Sequence, residues 1–330
     1  MPRDERVCGT SADLIASLLR DTDEVFAVTG ATGWLGAVAL DLLYSACAEQ
    51  AAERVVGYAS SVREVVVSDG RVAKVRPLAE LITQIPTPTT LLHFAYLTRD
   101  KVSALGVDSY TGQNLAISAT VLDAIAQHRP RHVVVASSGA VYSATGGLVS
   151  DLRTDPYGTL KHIDELAFRA ATCDVGGVCV IPRVFSVAGP RMSKPELYAL
   201  GSMIQMAVAG GPIEVRARGP VFRSYCGVDE VVTLALWAAY AGRGVVFDSG
   251  GTVVEMAELA RLVAHEHGLG DQAVRRDWDP AAAESRYVGD GRLMAELAVA
   301  AGLSLRPLPA LVRETAAWLE RPGPGGGWLL

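Results

Sequence analysis

Between Glu24 and Phe185, short apolar runs alternate with longer segments whose apolar residues recur at helical spacing. EVFAVTG (24–30) is a compact apolar run that stops at a glycine, the pattern of a strand buried on both faces. From Leu35 the apolar positions 35, 38, 39, 42, 43 and 46 keep a helical period. RVVGYAS (54–60), TLLHFAY (90–96), HVVVASS (132–138) and VCVIPRVF (178–185) read as further buried strands. Residues 112–128, with Leu115, Leu122 and Ile125 inward, and 157–171 read as helices. Strands alternating with helices predict an α/β fold with a doubly wound parallel sheet. SADLIASLLR (11–20) predicts a short helix ahead of it.

After Phe185 the texture changes. Gly189, Pro190, Pro195, Gly210, Gly211, Pro212, Gly219 and Pro220 punctuate short elements. Residues 231–240 and 255–267 are helical in pattern, and VVFDSGG (245–251) is a strand running into a glycine turn. The expected organisation is an N-terminal extension with a short helix (1–23), a main domain (24–185), a smaller C-terminal domain (186–321) and a flexible tail (322–330) built on PGPGGG.

Half of the 330 residues are apolar, enough for one large domain or two that share a cleft. A net charge of −6 argues against a nucleic-acid partner. No run of 18 apolar residues occurs, so no membrane span is expected. Asp4 and Glu5 stand where an exported chain would carry an apolar signal core, so a cytoplasmic location is expected. Cys8, Cys47, Cys173, Cys179 and Cys226 form no CxxC pair, which fits structural thiols rather than a disulfide or zinc framework.

Three segments carry chemistry. Thr29-Gly30-Ala31-Thr32-Gly33-Trp34-Leu35-Gly36 lies between a predicted strand and a predicted helix. Such a turn lets a pyrophosphate approach backbone N–H groups at the positive end of a helix. Tyr157 and Lys161 stand four apart on one helix face, so a phenol and an ammonium can share a cleft. The ammonium favours the phenolate and brings its pKa, ordinarily about 10, toward working pH. Ser137-Ser138-Gly139-Ala140-Val141-Tyr142 ends a buried strand, where open α/β sheets face their ligand, and a serine there can bind a reacting oxygen.

Together, in this order and on these elements, the three segments resemble the extended short-chain dehydrogenase/reductases of the NAD-dependent epimerase/dehydratase family. The resemblance runs from about Val25 to Trp318 and includes HFA (93–95), QNLAISATVLDAI (113–125), RVFSVAGPR (183–191), RSYCGVDEV (223–231), FDSGG (247–251) and RYVGD (286–290). It implies a Rossmann sheet with a smaller C-terminal substrate domain, parts near 222–251 returning to the cofactor domain. Tyr157 would be the acid/base, Lys161 would hold the nicotinamide ribose, and Ser138 would bind the reacting oxygen. Gly30, Thr32, Gly33, Trp34 and Leu35 would contact the pyrophosphate, and Phe94, Ala95, Asn114 and Phe185 would line the cofactor. Ser186, Arg191 and Arg223 would bind substrate, Arg223 gripping a diphosphate as a bidentate guanidinium can. The helices over 112–128 and 157–171 would pack against their twins in a homodimer.

Departures from the family pattern narrow the activity. Gly139 and Ala140 stand where dehydratases place an Asp-Glu pair, which argues against 4,6-dehydration. Ser186 stands where an asparagine is usual. No acid occurs between Arg54 and Glu64, where NAD-specific members place one; Ser60, Ser61 and Arg63 would instead hold a 2′-phosphate, favouring NADP with NAD as the alternative. The expected activity is hydride transfer at a carbonyl or hydroxyl carbon of a nucleotide-linked sugar, as a ketoreductase or an epimerase, in sugar or secondary-metabolite biosynthesis. The alternatives are a ketoreductase of a natural product without a nucleotide and, from another class, a non-catalytic dinucleotide sensor. The retention of both Tyr157 and Lys161 speaks against the sensor. Other conspicuous residues carry structural expectations. His93 is a packed core residue, and His265 and His267 lack partners for a metal. Asp229 caps the helix after it, Arg99 and Lys101 are solvated loop charges with substrate contact as the alternative, and Cys226 is a small buried residue.

Overall fold

The computed structural model describes residues 9–83 and 87–321. The predicted tail over 322–330, and Asp4, Glu5 and Cys8, lie outside the described residues. The chain forms two compact units. The first comprises described residues 9–184, 231–248 and 293–304; the second comprises 185–230, 249–292 and 305–321.

The sheet of the first unit contains β1 (Phe26–Thr29), β2 (Val55–Ala59), β3 (Arg63–Val66), β4 (Val72–Pro77), β5 (Thr90–His93), β6 (His132–Val135), β7 (Ser137–Ser138) and β8 (Val178–Val184). The strand Val246–Asp248 completes it. Its order is 246–248, β8, β6, β5, β1, β2, β4, β3, with β7 also paired to β8. Every pairing is parallel except β3 with β4. The chain builds outward from β1 in one direction through β2 and β4, then returns to build from β5 in the other. The boundary between β1 and β5 is therefore the topological switch point, where open α/β sheets bind ligands.

Four helices matter most for the site: α1 (Ser11–Leu19), α2 (Trp34–Cys47), α3 (Val107–His128) and α4 (Pro156–Asp174). Thr10 and Asp13 form a reciprocal capping box at the start of α1, which buries Ile15 and Leu19. α1 packs against α2 and so belongs to the first unit rather than standing ahead of it. Asp155 caps α4 by accepting the Gly158 N–H at 3.0 Å, and Pro156 takes the first helical position, where its missing N–H costs nothing. Ala27, Tyr58, Leu91, Val133 and Ile181 of the sheet pack with Val121, Ala124 and Ile125 of α3 and Phe168 of α4 in one fully buried cluster.

Several expectations need correction. α3 starts at Val107, and Leu115, expected inward, is exposed while Val121, Ala124 and Ile125 are buried. The sequence pattern also passes over β3 and β4, an edge hairpin in which β3 has no buried position and β4 alternates exposed and buried ones. It passes over the helices Ala199–Val208, Arg292–Ala301 and Leu308–Leu319 as well.

In the second unit the strand Val221–Gly227 pairs antiparallel with Thr252–Glu255 and parallel with Ser285–Tyr287 and Ser186–Ala188. Asp229 does not cap the helix Val228–Tyr240. It lies in the first turn and is ion-paired with Arg306, while Glu230 accepts the Gly227 N–H at 2.7 Å. The expected strand over 245–251 stops at Asp248, and a new strand begins at Thr252.

Candidate active site

The glycine turn sits at the switch point. Gly30 has φ +68°, a left-handed conformation open to glycine, and a Cβ there would lie 2.5–2.6 Å from the backbone of Phe94 and Ala95. A Cβ on Gly36 would lie 2.2 Å from the Gly30 carbonyl oxygen. Thr29, Phe94 and Ala95 are joined in turn: the Phe94 N–H donates to the Thr29 carbonyl at 3.1 Å, and the Ala95 N–H to Thr29 Oγ1 at 3.3 Å. Gly33 is the N-cap of α2 and no side chain caps the helix. Thr32 and Gly33 are exposed at this helix end, Trp34 is buried and Leu35 is half-buried. A cradle without side chains at the positive end of a 14-residue helix fits a dinucleotide pyrophosphate. Ser60 and Ser61 follow the end of β2 and Arg63 opens β3, all three exposed.

β7 and α4 bring the predicted chemical residues into one neighbourhood. Ser138 is buried at the end of β7, and its Oγ accepts the Ala140 N–H at 3.1 Å. Lys161 is 5% exposed, and its Nζ donates to the Ala136 carbonyl at 2.8 Å. Burial pushes the Lys161 ammonium down to about 8, with Asp164 and Glu165 opposing the shift. Tyr157 lies on the same helix, with the Arg99 guanidinium 5.9 Å from its ring centre. Arg99 is an exposed loop charge, as expected, and is also paired with Asp155 at 2.6 Å. His93 is the packed core residue expected. Its Nδ1 is 2.8 Å from Thr29 Oγ1 and its ring lies against Phe168; burial and then the charge of Lys161 push its pKa down to about 3.

Two groups of residues escape the sequence reading. Lys161 Nζ lies over the Tyr96 ring, 3.6 Å from its centre, and the Tyr96 and Tyr157 rings meet edge-to-face with centres 5.9 Å apart. Asn114, expected to line the cofactor, is fully buried. It accepts the Leu97 N–H at 2.9 Å and donates to the Leu97 carbonyl at 3.4 Å, so its amide anchors the segment that carries Tyr96. The second group lies behind Ser138. Glu165 accepts from Ser137 Oγ at 2.5 Å and from two nitrogens of Arg183 at 2.8 and 2.6 Å. Arg183 donates also to the Tyr142 hydroxyl at 2.6 Å, and that hydroxyl donates to Asp248 at 3.0 Å. Tyr96 directly follows the HFA segment and Tyr142 ends the serine segment; their positions in those motifs were the available signals.

The second unit holds the remaining candidates in its own frame. Phe185 packs against Tyr287 in a tilted ring contact with centres 4.7 Å apart, and its N–H donates to Ser249 Oγ at 2.8 Å. The Arg223 guanidinium lies 5.6 Å from the Tyr287 ring centre and donates to the Phe222 carbonyl at 2.9 Å. No carboxylate pairs with Arg223 among the described residues, and burial lowers its pKa. Ser186 opens the short strand beside Tyr225, and Arg191, at φ +66°, lies over the Trp318 ring at 4.7 Å.

The model of the NAD dependent epimerase/dehydratase family matches residues 26–248. The chain belongs to this family. It is accordingly an enzyme of the short-chain dehydrogenase/reductase type. A UDP-glucose 4-epimerase of Corynebacterium glutamicum is 24% identical over 282 residues, covering 77% of this chain and 84% of the relative. Among solved structures, a UDP-N-acetylglucosamine 4-epimerase from Methanobrevibacter ruminantium aligns with a TM-score of 0.70 at 18% identity, over 90% of this chain and 98% of that one. A double mutant of the dTDP-glucose 4,6-dehydratase DesIV from Streptomyces venezuelae, with NAD bound, aligns with a TM-score of 0.68 at 20% identity, over 90% and 97%. These likenesses establish the fold: a mostly parallel sheet with flanking helices. No helix among the described residues is long and apolar enough to cross a membrane.

The buried Lys161 makes stability depend on pH in a stated direction. Its folded pKa of about 8 lies below the unfolded value of 10.5, so in that window the unfolded chain binds more protons and stability rises with pH. Urea unfolding of the wild type and of Lys161→Met is expected to show the wild type gaining on the variant between pH 8 and 10. A constant difference across that range would contradict it.

Proposed function

We propose that this enzyme transfers hydride reversibly between a nicotinamide dinucleotide and a carbinol carbon of a nucleotide-linked sugar, as a ketoreductase or an epimerase. The observation that carries this reading is the contact of β7 with the start of α4, which bonds Lys161 Nζ to the Ala136 carbonyl beside Ser137 and Ser138 and carries Tyr157 one turn earlier, with Gly139 and Ala140 rather than carboxylates after Ser138. Tyr157 gives its phenolic proton to the alkoxide in reduction and takes the hydroxyl proton in oxidation. The Ser138 hydroxyl holds the reacting oxygen. Lys161 holds the nicotinamide ribose, and its ammonium favours the phenolate form of Tyr157. Gly30, Thr32, Gly33, Trp34 and Leu35 hold the pyrophosphate, with Phe94, Ala95 and Phe185 lining the cofactor. The bound dinucleotide supplies or takes up the hydride. Gly139 and Ala140 offer no acid or base for eliminating water, which separates this reading from 4,6-dehydration.

The first unit serves as the cofactor domain and the second as the substrate domain in this reading. Arg223, half-buried without a carboxylate partner, supports a diphosphate ligand; Ser186 and Arg191 complete the substrate contacts. The relatives named UDP-glucose and UDP-N-acetylglucosamine 4-epimerases support a nucleotide sugar as the substrate class.

Replacing Tyr157 with phenylalanine is expected to lower turnover of UDP- or dTDP-hexoses by roughly 10²–10⁴-fold. Dinucleotide affinity, measured by NADH fluorescence, should stay nearly intact, because it rests on the 30–36 turn. A variant that keeps more than a tenth of wild-type kcat would remove Tyr157 from its role.

The residues after β2 bear on the choice between NAD and NADP. The exposed Ser60, Ser61 and Arg63, without a carboxylate among them, support NADP; the NAD held by the DesIV relative supports NAD. On the local charge we expect NADP to bind roughly 10- to 150-fold tighter, the worth of one charge-assisted hydrogen bond. Calorimetric titration of stripped protein with both cofactors decides it: equal affinities, or a preference unchanged in Arg63→Ala, would return NAD to first place and with it the epimerase.

A homodimer through α3 and α4 is part of the same reading. Leu115 of α3 and Ile163 and Leu166 of α4 are exposed at 43%, 39% and 59%, apolar surface that a twin copy would cover. Light scattering at micromolar concentration should give the mass of two chains, and Leu166→Glu should shift it toward one. A wild-type monomer would refute the dimer.

A further inference from the structure

Lys161 is a buried cation of the candidate site; burial opposes its charge, and Asp164 and Glu165 favour it. It is 5% exposed, and one of its three donors is spent on the Ala136 carbonyl. The charged and titratable groups around it come from several elements. Asp164 and Glu165 face it from α4, and His93 from β5. Glu165 is already committed to Arg183 and Ser137, and Asp164 Oδ1 accepts from Ser118 Oγ at 2.8 Å. His93 is held neutral by burial at this site. Beyond Ala136, Nζ meets an aromatic face, that of Tyr96, 3.6 Å from the ring centre.

We propose that Tyr96 is a positioning residue for Lys161: its ring face keeps the buried ammonium charged and aimed along the β7 end. The inference rests on the reading of Lys161 as the ribose-binding and phenolate-stabilising residue. Three observations carry it. The ring face, not the edge, meets Nζ, which is the geometry in which the negative face of a π system attracts a cation. The Tyr96 hydroxyl is buried and makes no hydrogen bond, so polar bonding of the phenol is not what fixes the ring there. The backbone next to it is clamped: Leu97 is held through its N–H and carbonyl by Asn114, and its carbonyl also accepts the Tyr110 hydroxyl at 2.7 Å. Tyr96 also meets the Tyr157 ring edge-to-face with centres 5.9 Å apart, so one ring touches both the phenol and the ammonium carried by α4. Of the three Lys161 donors, one goes to Ala136 and the Tyr96 face occupies another direction, which leaves the approach of a ribose hydroxyl restricted to what remains.

The test reads Lys161 directly and needs neither substrate nor cofactor. The chain has four lysines, Lys74, Lys101, Lys161 and Lys194, so protein labelled with ¹³C at lysine Cε gives four resonances. The one missing in Lys161→Met is Lys161. In the wild type it should titrate near pH 8. The aromatic face favours the ammonium, so removing it in Tyr96→Leu should move that midpoint down by about 0.4–1.5 pH units. Tyr96→Phe keeps the face and should leave the midpoint within about 0.3 unit. Where Tyr96→Leu fails to fold, mono-, di- and trifluorophenylalanine at position 96 keep the shape while draining the face, and the midpoint should fall stepwise. An unmoved midpoint in Tyr96→Leu or across the fluorinated series overturns the proposal. So does a fall in Tyr96→Phe equal to that in Tyr96→Leu, which would assign the effect to the hydroxyl. Failure of Lys161 in its ribose-binding and phenolate-stabilising roles would appear in dinucleotide affinity and turnover and leave this titration unchanged, so the two failures are distinguishable.

Discussion

Three stretches of backbone converge on Gly30, and the cofactor side of the protein is organised by that convergence. The turn leaving β1, the first turn of α2 and the segment leaving β5 approach so closely that a single Cβ on Gly30 or Gly36 would collide with main-chain atoms. Main chain packed on main chain cannot relax by changing a rotamer, so the position of α2 relative to β1 and β5 is set with little freedom. The helix end and its N–H groups are aimed by this contact, and so is the course of the chain from Phe94 onward.

From there the geometry propagates. Phe94 and Ala95 are hydrogen-bonded to Thr29, Leu97 is gripped by Asn114 and Tyr110, and Tyr96 between them is delivered onto Lys161 and Tyr157. On the other side, Glu165 ties Ser137 to Arg183, and Arg183 ties Tyr142 to β8. Ser138 and Lys161 thus sit between two sets of side chains anchored to different parts of the sheet.

The sheet strands of the central core, the glycine turn and the Ser138, Tyr157, Lys161 set were legible because each is written in local sequence: a continuous apolar run, a spacing of glycines, an i, i+4 pair. What was not legible depends on partners distant in the chain. Leu115 fits the apolar period of α3 yet is exposed, since which face is inward depends on where α4 lies. Asp229 has the right residue type for a cap, but Arg306, 77 residues on, takes its carboxylate. Tyr96 looks like the last residue of a strand, and only folding brings the ammonium of a residue 65 positions later under its ring. β3 and β4 were missed because an edge hairpin needs no long apolar run.

The Glu165 carboxylate is buried, and both its oxygens are engaged by Arg183 while one also holds Ser137. A carboxylate that holds the Ser137 hydroxyl and, through Arg183, the Tyr142 hydroxyl restrains rotation of both side chains. The ordering entropy of this corner is therefore lost when the chain folds, before any ligand arrives. Association at such a site starts from a low-entropy receptor, so the measured affinity of a ligand reflects its contacts and desolvation more than any rearrangement of the protein.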